Sequence, residues 1–186
     1  MWHAPTVITT RAAEAETLAV QGLDWMLGLA RDTGTGLAWA STPTDEEVDP
    51  TLYAGTAGVV VALLEARRHF GDDRYGDAAL RGARSIADAV GEWEHDSLYL
   101  GLAGMAFALR AVHRHLGDPA SGAAADRALE RLRSRFDGTR WNEHFEVIAG
   151  NAGIALGALA CGDADLALLA VTPYLRTAEA TAGGVH

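Results

Sequence analysis

Leu52-Tyr53-Ala54-Gly55-Thr56-Ala57-Gly58 decides the fold, because the chain writes this stretch three times. Leu98-Tyr99-Leu100-Gly101-Leu102-Ala103-Gly104 and Val147-Ile148-Ala149-Gly150-Asn151-Ala152-Gly153 keep its layout, with first glycines 46 and then 49 residues apart. In each, two glycines bracket a pair of residues and an apolar run follows directly. Self-similarity at a period of this size marks stacked supersecondary units, each too small to bury its apolar face alone.

A second register supports the first. Gly71-Asp72, Gly117-Asp118 and Gly162-Asp163 close the three apolar runs at spacings of 46 and 45. Glycine suits the left-handed residue that ends a helix, and aspartate suits the cap that begins the next. Pro119 falls in a first helical turn, where its missing N–H costs nothing. Each unit therefore reads as helix, Gly-Asp turn, helix.

The two helices of a unit differ in kind. Val59-Val60-Val61-Ala62-Leu63-Leu64 and Met105-Ala106-Phe107-Ala108-Leu109 are apolar nearly all round, as in helices walled in by neighbours. After the turns, Tyr75, Ala79, Gly82, Ile86 and Val90 share one face, as do Ala125, Leu129, Leu132 and Phe136. The expected fold is all-α: repeated hairpins with an inner layer of buried helices and an outer, half-exposed layer. Residues 1–186 read as one domain. A first outer helix lies in 1–31, passing through Leu18, Gly22, Trp25, Met26 and Leu29, and hairpins cover 52–91, 98–136 and 147–180. Pro173 is expected to break or kink the last helix, and 182–186 reads as a loop cut short.

Composition narrows the function. A net charge of −10, with arginines interspersed among acids, argues against nucleic acid as a partner. The apolar runs are far shorter than the roughly 20 residues of a membrane span. The start, Met1-Trp2-His3-Ala4-Pro5, lacks the basic-then-apolar layout of a signal peptide. One cysteine, Cys161, excludes a disulfide framework within these residues and fits a reducing, cytoplasmic setting. It reads as a small buried hydrophobe rather than a nucleophile.

Inner helices that all begin at a glycine motif gather their N-termini, and the loops leading into them, at one end of the assembly. That end holds the candidate site. Trp39, Trp93 and Trp141 precede the three motifs and are read either as a platform for a peptide or as packing of the loops onto the rim. Tyr53 and Tyr99 stand inside the motifs. His95, His144 and Glu146 add polar groups to the loops, and Glu143 with Glu146 is the one carboxylate pair that glycoside chemistry could call on. His113 and His115, two apart on a helix, point in different directions and read as surface residues.

Tyr-x-Gly-x-Ala-Gly at the head of a buried helix, recurring at this period, resembles the lanthionine synthetase C-like (LanC-like) family. Asp49 to Gly58 looks like that family's first repeat, Ser97 to Gly104 its second and Glu146 to Gly153 its third. The resemblance implies an α/α toroid of about seven hairpins, of which this chain would be the N-terminal half. It also implies a cyclase that adds a cysteine thiol of a precursor peptide to dehydroalanine or dehydrobutyrine with the help of zinc. In the family the zinc ligands, two cysteines and a histidine, come from later repeats in Trp-Cys and Cys-His-Gly motifs, which these residues lack. No metal is therefore expected on this chain alone. Zinc is expected only if a complementary C-terminal half is present; the expected partners are the precursor peptide and either a complementary chain or a second copy of this one. By position, Glu146 corresponds to a proposed acid/base aspartate of the cyclases, and Trp39, Trp93, Trp141, Tyr53 and Tyr99 are the candidate peptide contacts. The alternative is a non-catalytic half-toroid that binds a peptide or partner and is completed by self-association.

Overall fold

The computed structural model describes residues 6–181 and 184–185. Seven helices carry the described fold: α1 (Thr6–Gly28), α2 (Thr56–Phe70), α3 (Asp73–Ala89), α4 (Leu102–Leu116), α5 (Pro119–Ser134), α6 (Asn151–Cys161) and α7 (Ala164–Thr177). They form three hairpins, α2–α3, α4–α5 and α6–α7, as the two registers predict. Within the array α2 packs on α4 and α4 on α6, giving the inner layer; α3 packs behind both α2 and α4. The chain is an all-α helical repeat.

The Gly-Asp turns do what their chemistry requires. Gly71, Gly117 and Gly162 end the inner helices with φ of 70°, 71° and 87°, a left-handed conformation that costs glycine little. Asp72, Asp118 and Asp163 then accept backbone N–H groups from Arg74, Ser121 and Leu166, capping the outer helices.

The core follows the inner layer. Leu102, Met105, Leu109 and Val112 of α4 are wholly buried, and so are Val60 and Leu63 of α2 and Ile154 of α6. Each such side chain contributes about 1.5–3 kcal/mol. Tyr75, Ala79, Gly82, Ile86 and Val90 are all buried, as the helical periodicity predicts. Basic residues crowd the last turns of α2 (Arg67, Arg68, His69) and α4 (His113, Arg114, His115), where the helix dipole favours positive charge. His113 also accepts structural work: its ring lies against Gly122, and its Nδ1 is 2.9 Å from the Asp118 carbonyl.

Three details differ from the sequence reading. On α1 the residues that meet the body are Leu23, Met26 and Leu27, whereas Leu18 and Trp25 are exposed. Proline does not break α7, which runs through Pro173 to Thr177. Near the C-terminus, β3 (Ala180–Thr181) pairs antiparallel with β4 (Gly184–Val185), so part of the expected loop is a short ladder; Ala182, Gly183 and His186 lie outside the described residues. A second two-residue ladder joins β1 (Arg31–Asp32) to β2 (Leu37–Ala38) in the loop after α1.

Candidate functional site: the glycine-motif rim

The three motifs meet at one end, and the backbone itself links them. The Tyr53 N–H donates to the Tyr99 carbonyl across 2.9 Å, and the Tyr99 N–H donates to the Ile148 carbonyl across 3.2 Å. Tyr53, Tyr99 and Ile148 occupy the same place in successive repeats, so the ladder steps from motif to motif around the array. Their side chains line its outer lip: Tyr53 is 69% exposed and Ile148 53%, while the Tyr53 and Tyr99 rings meet edge to face at 6.1 Å.

Each glycine pair lets a loop close over a helix N-terminus. The carbonyls of Asp49, His95 and His144, each six residues before the first glycine, accept from the first N–H of α2, α4 and α6 at 2.7, 2.9 and 3.0 Å. A Cβ on Gly101 would stand 2.5 Å from the His95 oxygen, and one on Gly104 would collide with the Leu98 carbonyl. The motif is thus a close-approach device. It also uses up helix donors that an anion would otherwise find.

The tryptophans are tied into their own loops. Trp39 is 3% exposed and its indole N–H donates to the Met26 carbonyl at 2.8 Å. Trp141, half-buried against Phe136, makes the same kind of bond to Leu132 at 2.8 Å, and the Trp93 indole donates to Leu100 at 2.9 Å. Among the described residues no ring contact joins one tryptophan to another. The structure brings Tyr53, Tyr99 and Ile148 together on the lip, and it ties the Trp39, Trp93 and Trp141 indoles separately to the carbonyls of Met26, Leu100 and Leu132.

Glu146 lies on the surface of the third loop. Its carboxylate accepts from the Ile148 N–H at 2.5 Å and the Ala149 N–H at 2.7 Å. Ser97, its counterpart in the second repeat, accepts from the Leu100 N–H at 3.3 Å, so the two side chains brace equivalent turns. Glu143, the other member of the acidic pair, is paired with Arg140. Both Glu146 carboxylate oxygens are thus engaged by backbone N–H groups of their own turn.

Two clamps were not picked out from sequence. The Thr56 hydroxyl donates to the Asp49 carbonyl and accepts the Trp39 N–H, at 2.9 and 3.1 Å. Asn151, wholly buried, accepts the Trp141 N–H at 3.0 Å and donates to the carbonyls of Asn142 and His144 at 3.0 and 2.7 Å. Their signal was present: the residue after the first glycine is polar in repeats one and three and is Leu102 in repeat two.

Among the described residues no three His, Cys, Asp or Glu side chains converge as metal ligands. Cys161 sits at the other end of α6 from the motif, and burial pushes its thiol up to about 11. These residues do not fit a zinc ion. Nor is any helix among them long and apolar enough to cross a membrane. No curated protein and no solved structure gives a match to the chain. The family model described as "Lanthionine synthetase C-like protein" matches residues 46–185, which span all three motifs and the ladder between them. The chain belongs to the lanthionine synthetase C-like family.

Proposed function

We propose that this chain supplies the peptide-receiving rim of a lanthionine synthetase-type scaffold. The observation that carries the reading is the lip on which Tyr53 and Ile148 are exposed and Tyr99 is half-buried between them, held in register by the ladder and bounded by Glu146. Aromatic rings joined to a rigid backbone offer large contact area at small entropic cost. A carboxylate at one end suits a cationic or N–H-rich peptide. The precursor peptide is the proposed partner, in a cytoplasmic setting.

Cyclisation joins a cysteine sulfur to the β-carbon of a dehydroalanine or dehydrobutyrine and leaves the thiol proton on the α-carbon. A zinc ion would lower the thiol pKa, and its ligands would have to come from complementary C-terminal repeats, since none converge among the described residues. A second reading, peptide binding without catalysis by this chain, is favoured by one feature: both Glu146 oxygens brace the local turn.

A fluorescent peptide containing one cysteine and one dehydroalanine tests the rim. Saturable binding that weakens at least fivefold in Tyr53→Ala and Tyr99→Ala supports the proposal, and binding indifferent to both refutes it. Adding a C-terminal half then separates the two readings. Ring formation leaves the peptide mass unchanged but removes the thiol that N-ethylmaleimide labels. Loss of labelling that depends on Glu146, and fails in Glu146→Gln, selects catalysis.

A further inference from the structure

A cavity of about 370 Å³ opens beside the last two turns of α3, where three loops converge. Its walls come from the turn between β1 and β2, the segment that enters the first motif, and Trp93 on the loop that enters the second. Ser85 and Asp88 form the α3 side. The volume falls within the range of small-ligand sites, about 300–1,000 Å³. Tyr53, Tyr99 and Ile148 do not line it, so it is separate from the lip.

The walls are fixed in advance. The Thr33 hydroxyl is 2.8 Å from that of Ser85, and the Thr35 hydroxyl donates to Asp88 Oδ2 at 2.5 Å. On the same hairpin Asp32 pairs with Arg81 at 3.0 Å. Gly36 lies so close to α3 that a Cβ would stand 2.1 Å from the Arg81 carbonyl oxygen. A turn pinned at these points holds the cavity open, and little ordering of the walls is left for a ligand to impose.

The lining selects a cation. Its polar side chains are hydroxyls and the Asp88 carboxylate, with no arginine or histidine among them. Asp88 accepts the Thr35 hydroxyl and is in no ion pair among the described residues. The nearby cations are already engaged: Arg81 with Asp32, and Arg131 and Arg135 with Glu94. Val48, Pro50 and Trp93 give the cavity an apolar wall. The Trp93 indole N–H is taken by the Leu100 carbonyl, so the ring offers its π system and not a donor. A carboxylate, hydroxyl acceptors and an indole together suit a planar guanidinium. That group is less strongly hydrated than an ammonium, stacks on aromatic rings, and carries enough donors to serve several acceptors at once.

We infer that this cavity binds an alkylguanidinium, the group an arginine side chain carries. The alkyl stem lies against Val48 and Pro50, and the guanidinium reaches Asp88 and the Trp93 ring. This inference rests on the α3 cavity and not on peptide binding at the lip.

The full chain, labelled with nitrogen-15, is titrated with N-acetylarginine amide and followed by NMR. Saturable shifts are expected at the Thr35, Ser85 and Asp88 amides and at the Trp93 indole N–H. N-acetylcitrulline amide, of the same shape but uncharged, should bind roughly fivefold more weakly. Asp88→Asn keeps an acceptor for Thr35 and removes the charge, with a similar loss. Val48→Arg, at a residue 41% exposed, brings a competing cation to the wall and should also weaken binding. Tyr53→Ala, which weakens binding at the lip, leaves this binding unchanged. Propylguanidine binding as tightly as the amide would assign the cavity to free guanidines; weaker binding would assign it to arginine within a peptide. Shifts that do not saturate or that spare these groups overturn the inference. So does equal binding of citrulline, or indifference to both Asp88→Asn and Val48→Arg.

Discussion

The side-chain oxygen of Asn151 accepts the backbone N–H of Trp141 at 3.0 Å, ten residues back along the chain. One buried amide thereby fixes both the start of α6 and the loop that carries Glu146, since its nitrogen also holds the Asn142 and His144 carbonyls. Asn151→Ala strands the Trp141 N–H and the Asn142 carbonyl, while the His144 carbonyl keeps its bond from the backbone N–H of residue 151. Each stranded group costs about 1–3 kcal/mol, less whatever water can re-satisfy. The expected loss is about 3 kcal/mol, read as a fall of about 6–12 °C in Tm for a chain of this length. Asn151→Asp keeps the acceptor but loses the donors, and should fall between the two. Thermal unfolding followed by circular dichroism checks the order.

Gly153 provides the second test, because its Cβ position is already occupied. A methyl there collides with the Val147 carbonyl and stands 2.9 Å from the Leu98 Cβ, so Gly153→Ala must push the third motif away from the second. Overpacking of this kind costs about 1–3 kcal/mol. Since the Tyr99–Ile148 hydrogen bond crosses the same seam, exchange of the Tyr99 amide should quicken selectively. Gly71→Ala, at φ 70° with no neighbour within contact, should lose stability without that local change.

The hairpin architecture was legible because it is written in glycine, aspartate and apolar period, all of which act locally. The faces of α3 and α5 followed from spacing alone. The α1 face did not: Leu18 and Trp25 carry apolar side chains, but burial depends on a neighbour that sequence spacing cannot place. Pro173 does not break α7, because a proline removes one helical hydrogen bond and tertiary packing can outweigh that loss. At the candidate site, the tyrosines were visible as motif residues. That Trp39 turns inward, and that Glu146 braces its own turn, depends on partners up to thirteen residues away and on loop closure. The Asn151 clamp left only a weak trace, a polar residue inside an apolar motif.

The Gly-Asp turns predict a pH-dependent cap. Hydrogen bonds from the Ser121 hydroxyl and backbone hold the Asp118 carboxyl below its ordinary range. A lowered folded pKa means that the cap's contribution is fully present above the unfolded value of about 3.9 and is lost as pH falls through the folded one. Asp118→Ala should therefore cost about 1 kcal/mol at neutral pH. The gap between variant and parent should stay constant from pH 7 to pH 5 and close below about pH 4. Urea titrations at several pH values measure it; a gap that persists in acid would mean that packing, not the cap, is responsible.

Cys161 titrates in the opposite direction. Burial at the end of α6 raises its thiol to about 11, against the pull of Arg110 and Arg114 nearby. The folded state keeps the proton where an unfolded thiol, near about 8.5, has lost it. The resulting stability is fully present below the unfolded pKa and disappears as pH rises through about 11. Tm should fall over that window in the parent more than in Cys161→Ala. At pH 8 the native thiol should react with a disulfide reagent far more slowly than the unfolded chain, the rate being set by opening of the α6–α7 turn. Fast labelling of the native protein would show that the thiol is accessible and ionised.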